Sequence, residues 1–242
     1  MAEADFQIID ERFARCVKTS AKVEKLFEGC RWAEGPAWLP AHRSLVWSDI
    51  PNDRMLRWDE TTGFVGVFRA PAGYTNGHTV DRQGRLVSCE HGNRRVTRTE
   101  HDGSITVIAD RYQGKRFNSP NGIAFSPDES QLFITDTGTK QTRHLRVFDV
   151  QANGTLKGGV LFATGTNGGF DGFRFDDEGR IWMSGGDGIH CLAPDGTLIG
   201  KVFVPEGVAN VVFGGAKRNR LFICGTTSLY SVLLPVQGVK TF

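Results

Sequence analysis

Hydrophobic and polar positions alternate along most of this chain in short runs, and glycine-bearing turns separate the runs. The clearest stretch begins with His78-Thr79-Val80-Asp81, an expected strand turned by Arg82-Gln83-Gly84. Residues 85–90 form the next run and are turned by His91-Gly92-Asn93. Residues 95–100 follow, then the turn His101-Asp102-Gly103, then residues 104–109. Period-two runs joined by tight turns predict one up-and-down antiparallel sheet of four strands. The stretch around residue 175 has the same form, with turns at Asp177-Glu178-Gly179 and Pro194-Asp195-Gly196. Thirty glycines supply the backbone freedom that so many hairpins require. Helical character is confined to a short stretch near Phe13.

Each unit opens in the same way: a polar residue, a small residue, two further positions and a large apolar one. The pattern reads Glu34-Gly35-Pro36-Ala37-Trp38, Asn76-Gly77-His78-Thr79-Val80, Asn121-Gly122-Ile123-Ala124-Phe125 and Asp171-Gly172-Phe173-Arg174-Phe175. A degraded fifth copy is Ala209-Asn210-Val211-Val212-Phe213, with its polar residue one place late. The large residues at 38, 80, 125, 175 and 213 give spacings of 42, 45, 50 and 38. A period near 40 built from strand signals predicts an all-β fold, a β-propeller of four-stranded antiparallel blades. Five repeats are present. Propellers close by completing one blade from both parts of the chain. Residues 22–27 are therefore expected to pair outside the sheet built from residues 221–224 and 229–233. The expected organisation is a single domain over 1–242, with an N-terminal extension at 1–21 and the propeller at 22–242.

Composition narrows the functional classes. A formal net charge of +2 and the absence of any basic run argue against a nucleic-acid partner. No apolar stretch reaches the roughly 18 residues of a membrane helix, and the acidic residues 1–5 have no apolar core behind them as a secretory signal would. Five scattered cysteines (Cys16, Cys30, Cys89, Cys191 and Cys224) suit reduced thiols in a cytoplasmic protein better than a disulfide frame or a zinc cage.

The first strand of each blade lines the central channel, so the opening residues of the repeats converge on one mouth. Glu34, Asn76, Asn121 and Asp171 bring oxygen donors together, two of them carboxylates. A single Asn-Gly or Asp-Gly reads most simply as a turn former. Four in register, with a Glu where no turn preference explains it, read as a site for a hard divalent cation. Ca²⁺ is the expected ion, with Mg²⁺, Mn²⁺ or Zn²⁺ as alternatives; His78 and His91 are close in sequence. A cation in an open channel mouth acts as a Lewis acid, and a carboxylate beside it can accept a proton from water. Hydrolysis of an ester-like bond, a lactone or a phosphotriester, follows from these residue types.

The motifs resemble those of the gluconolactonase / senescence marker protein / luciferin-regenerating enzyme family of propeller lactonases. The resemblance runs from about Glu34 to Leu234. It rests on Glu34-Gly35-Pro36-Ala37-Trp38, Trp47-Ser48-Asp49-Ile50-Pro51-Asn52, Cys89-Glu90-His91-Gly92, Arg116-Phe117-Asn118-Ser119-Pro120-Asn121, Asn121-Gly122-Ile123-Ala124-Phe125-Ser126-Pro127-Asp128, Asp171-Gly172 and Phe213-Gly214-Gly215. It implies Glu34, Asn121 and Asp171 as metal ligands, with Asp171 also the general base, and Asn76, His91 and Asn118 as substrate-binding residues. It also implies opening of a small-molecule sugar lactone such as glucono-1,5-lactone. The family has six blades, and here two of its P-N motifs merge at Pro120-Asn121, as though one blade had been cut out. A shortened propeller that binds a metal or ligand without turnover is therefore the competing expectation.

Overall fold

The alternating runs fold into five antiparallel blades. In the computed structural model, residues 5–18, 20–81, 83–93, 95–109, 120–139, 142–152, 156–164 and 170–240 are described. Ahead of the first blade come β1 (Phe6–Ile8) and β2 (Glu24–Glu28). Blade 1 is β3 (Ala33–Leu39), β4 (Ser44–Asp49), β5 (Arg54–Asp59) and β6 (Val65–Arg69). Blade 2 is β7 (Thr75–Val80), β8 (Leu86–Glu90), β9 (Arg95–Thr99) and β10 (Ile105–Ala109). Blade 3 comprises β11 (Pro120–Phe125), β12 (Gln131–Thr139), β13 (Thr142–Val150) and β14 (Leu156–Thr164). Blade 4 holds β15 (Phe173–Phe175), β16 (Ile181–Gly185), β17 (Gly188–Leu192) and β18 (Leu198–Val202). Blade 5 is β19 (Val208–Gly214), β20 (Arg220–Gly225) and β21 (Ser228–Leu233), completed by β2, whose Glu24 pairs with Ser231. The expected closure by strands from both parts of the chain is what the sheet order shows.

The segment before β2 is more than an appendage. β1 adds a fifth strand to blade 4, with Phe6 facing Val202. A 3₁₀ turn at Glu11–Cys16, capped by Asp10, buries Phe13 completely, and its ring lies 5.8 Å from that of Trp182.

Apolar cores fill four of the junctions between blades. Val46, Met55 and Leu86 join blades 1 and 2, and Phe133, Phe173 and Met183 join blades 3 and 4. Trp182, Val211 and Phe213 join blades 4 and 5, and a cluster of Trp38, Trp47, Trp58 and Phe222 joins blades 5 and 1. Four of the five cysteines are buried, and all five are free thiols. Among the described residues no such core lies between blades 2 and 3, and β7 and β11 hardly touch. The register places Ile123, Phe125 and Leu161 on the face of blade 3 opposite its contact with blade 4, and they are 56%, 51% and 53% exposed. Propeller blades bury one another's faces, so among the described residues this junction is the least filled.

Candidate active site

Inner strands place the repeated motif at the channel by breaking their own register. The pairing shifts between Glu34 and Ala37, between Thr75 and His78, between Pro120 and Ile123, and between Val208 and Asn210. A bulge rotates the side chains next to it, turning the opening residue of a repeat away from a blade face. The fourth inner strand begins only at Phe173, which leaves Asp171 and Gly172 in the loop that leads into it.

The small residue of the motif has a packing role. A Cβ on Gly35 would be driven into the Asn76 carbonyl, and one on Gly122 into the Asp171 carbonyl. At Gly172 it would collide with the Asn210 side chain. These three motifs are therefore pressed against the opening segment of the next blade, which a hairpin-turn reading does not account for. Hydroxyls on second strands tie these contacts. Ser48 Oγ donates to the Asn76 carbonyl at 3.0 Å and Thr135 Oγ1 to the Asp171 carbonyl at 2.9 Å, while Ser184 Oγ accepts the Asp171 N–H at 2.9 Å.

Glu34 and Asp171 come together electrostatically. Glu34 is 3% exposed, and its Oε1 accepts from the Gly35 N–H at 2.8 Å and from Asn210 Nδ2 at 2.7 Å. Burial pushes its carboxyl upward, against the pull of the Asn210 amide, the Gly35 N–H and the Arg174 guanidinium. Asp171 is half-buried, and burial together with the Glu34 charge lifts its carboxyl to about 8. Asp171 Oδ1 is buried with no hydrogen-bond partner. A stranded carboxylate oxygen beside a second buried carboxylate is a costly arrangement for a protein alone, and a hard cation would satisfy it. Among the described residues no group of three or more His, Cys, Asp or Glu is placed to hold an ion, so the two carboxylates would need neutral oxygen donors to complete a coordination shell.

The remaining expected residues lie as follows. Asn76 is half-buried on β7. Asn121 is placed by its backbone on β11, and its side chain lies outside what is described; Asn118 lies outside the described residues altogether. His91 is exposed in the turn between β8 and β9. Its neighbour Glu90 is buried and accepts from Asn93, Arg95 and Thr97 at 2.7, 2.6 and 3.1 Å. His78 is 5% exposed and bridges Ser48 and Ser88 at 2.8 and 2.9 Å. Burial, with the nearby Arg69 charge, holds its pKa down at about 3, so the ring is neutral. Sequence reasoning passed over two residues: Arg174, half-buried on β15 within reach of the Glu34 charge, and Asn210. The signal for Asn210 was its late position in the fifth copy, which the bulge between Val208 and Asn210 takes up.

A propeller with paired carboxylates at the channel mouth belongs to a recognisable class. The sequence pattern of the SMP-30/Gluconolactonase/LRE-like region matches residues 32–119 and 111–227, and the chain belongs to that family. The two matches overlap at residues 111–119, just before β11. A gluconolactonase of Xanthomonas campestris has a solved structure that is 32% identical, covers 96% of both chains and superposes with a TM-score of 0.87. The gluconolactonase of Zymomonas mobilis is 24% identical over 300 aligned positions, covering 91% of this chain and 83% of its own. That alignment is longer than the 242 residues here, so the relative carries segments this chain lacks. The pentonolactonase of Haloferax volcanii is 25% identical and covers 80% and 81%.

Proposed function

We propose that this protein is a metal-dependent hydrolase that opens sugar-acid lactones. The observation that carries the reading is the buried Glu34–Asp171 pair with its unpartnered Asp171 Oδ1. The names of the relatives, gluconolactonase and pentonolactonase, put aldonic-acid lactones forward as the substrate class. Glu34, Asn121 and Asp171 would hold a divalent ion, with Ca²⁺ first among the candidates. When bound, such an ion polarises a carbonyl oxygen.

The chain's own residues supply the rest. Asp171 is the general base: a cation held beside it would keep its carboxyl ionised and able to accept a proton. It takes a proton from water as the water oxygen adds to the lactone carbonyl carbon. The ring C–O bond then breaks, the released ring oxygen takes that proton back from Asp171, and the open-chain acid leaves with the base restored. Asn76, Asn118 and His91 are the substrate-binding residues in this reading. Four buried free thiols fit a reducing compartment, and the cytoplasm is the location we propose. No helix among the described residues is long and apolar enough to cross a membrane.

The test is acid release from glucono-1,5-lactone above its spontaneous rate, after EDTA and then with Ca²⁺, Mg²⁺, Mn²⁺ or Zn²⁺ restored. Turnover that returns with an ion and is absent in Asp171→Ala supports the reading. The loose junction between blades 2 and 3 favours one alternative, a propeller that binds an ion without turning over. A folded, ion-stabilised protein with no turnover on any lactone would establish that alternative instead.

A further inference from the structure

The geometry points to Asn210 as the positioning residue that fixes the Glu34 carboxylate for the ion, an inference that rests on the reading of Glu34 as a ligand. Three contacts hold the Asn210 side chain in one orientation. Its Nδ2 donates to Glu34 Oε1 at 2.7 Å, and its Oδ1 accepts the Val211 N–H at 2.8 Å. Its amide carbon packs where Gly172 has no side chain. The second of these contacts settles which end of the amide is the donor, because only the oxygen can accept from Val211. Asn210 thus spans from the loop that carries Asp171, in blade 4, to the strand that carries Glu34, in blade 1.

The consequence is directional. With the Asn210 amide and the Gly35 N–H both on Oε1, rotation of the Glu34 carboxylate is blocked at one oxygen, and the other oxygen keeps its direction. Ordered ligands of this kind depend on their outer partners, whose loss typically weakens metal affinity about 10–100-fold. Gly172 serves the same end, since any side chain there would push the amide off Glu34. The Ala209 carbonyl accepts the Gly172 N–H at 2.9 Å and keeps the two segments in contact.

The experiment is calorimetric titration of Ca²⁺ and Mn²⁺ into the intact protein, its Asn210→Ala variant and its Asn210→Gln variant. Asn210→Ala is expected to weaken binding at least about tenfold. The KM for lactone at saturating ion should stay within about twofold, and Asn210→Gln, which keeps an amide on a longer arm, should recover part of the affinity. Equal ion affinity in Asn210→Ala, or a loss confined to melting temperature, would overturn the inference. If the unaltered protein binds no divalent ion, the ligand reading of Glu34 fails on its own. The crystal structure of metal-free Asn210→Ala then decides the positioning role. A Glu34 carboxylate turned away from the Gly35 N–H supports it, and one left in place refutes it.

Discussion

The carbonyl oxygen of Asn76 occupies the space that a Cβ on Gly35 would need, so blades 1 and 2 meet backbone to backbone at the channel. Gly35 also has φ +59, a left-handed conformation that other residues adopt at a cost. Gly35→Ala is expected to lose about 3 kcal/mol, seen as a fall in melting temperature of about 6–12 °C. Gly77 is the internal control, because a Cβ there meets nothing within 4 Å among the described residues. Gly77→Ala should stay within about 1 kcal/mol of the parent. Equal losses at the two positions would mean that contact between blades is not what makes Gly35 necessary.

Asp171→Asn should separate stability from activity. In the metal-free protein the Asp171 carboxyl sits at about 8 because of burial and Glu34, whereas in the unfolded chain it titrates at about 4. Between those values the unfolded chain is ionised while the folded protein holds the proton. Stability therefore falls as pH rises from about 4 to about 8 and is level above. Removing the charge should stabilise the EDTA-treated protein at pH 8 by on the order of 1–3 kcal/mol, with little change at pH 4. Urea unfolding at the two pH values measures this. Lactone turnover in the same variant should fall by about 10³-fold or more.

His78 confers a different pH dependence. Its folded pKa of about 3 lies below the unfolded value of about 6.5, so the unfolded chain takes up the proton first as pH falls. Stability from this group is complete above about 6.5 and drains away toward about 3. In His78→Gln that slope should be shallower by up to about 1.4 kcal/mol per pH unit between pH 6 and 4, whatever the variant loses at neutral pH. An unchanged slope would show that other groups carry the acid sensitivity.

Glu206 anchors the closure of the ring. Its carboxylate accepts from the Thr227 N–H, Ser228 Oγ and Tyr230 OH, each at 2.6 Å. The Thr226 and Thr227 carbonyls in turn receive N–H groups from Gly29, Cys30 and Ala33. Burial pushes the Glu206 carboxyl up, yet these donors hold it at about 2. Its contribution is present above about 4.5 and is lost as pH falls through about 2. Glu206→Ala is expected to cost about 2–4 kcal/mol at pH 7 and to speed amide exchange in β2 ahead of β8. Uniform exchange across all blades would contradict a local anchoring role.

Much of the architecture was legible because a period-two pattern repeated near every 40 residues has few other physical solutions. The pairing of β2 with β21 followed from the edge that an incomplete blade would leave. Glu34 and Asp171 were legible as acids at equivalent places. What sequence could not reveal depends on register. Asn210 reads as a misplaced residue until a bulge moves it beside Glu34. The Trp47-Ser48-Asp49-Ile50-Pro51-Asn52 motif proves to be a knot: Asp49 is buried and accepts from Arg31, Trp32, Asn52 and Arg54. His78 looked like a potential ligand by residue type alone, but it is spent on two serines. The exposure of Ile123 and Phe125 beside buried Leu132 and Ile134 on blade 3 also took three dimensions to see.

The partnership of Glu24 with Ser231 sets an order for assembly. Three sheets are made wholly of strands adjacent in sequence, and the fourth is four such strands with β1 added at its edge, so each can zip from local hairpins soon after it is synthesised. The fifth cannot, because its outer strand precedes blade 1 and its other three follow blade 4. Joining them closes a loop that contains blades 1 to 4. That closure is slow to find, although its entropy grows only logarithmically with length. Until it happens, the Trp47 and Trp58 side of blade 1 has no Phe222 to pack on and remains a sticky flank on a nascent chain. Closing blade 5 onto blade 1 is thus also what brings Asn210 to Glu34, and the channel acquires its chemistry only when the circle is complete.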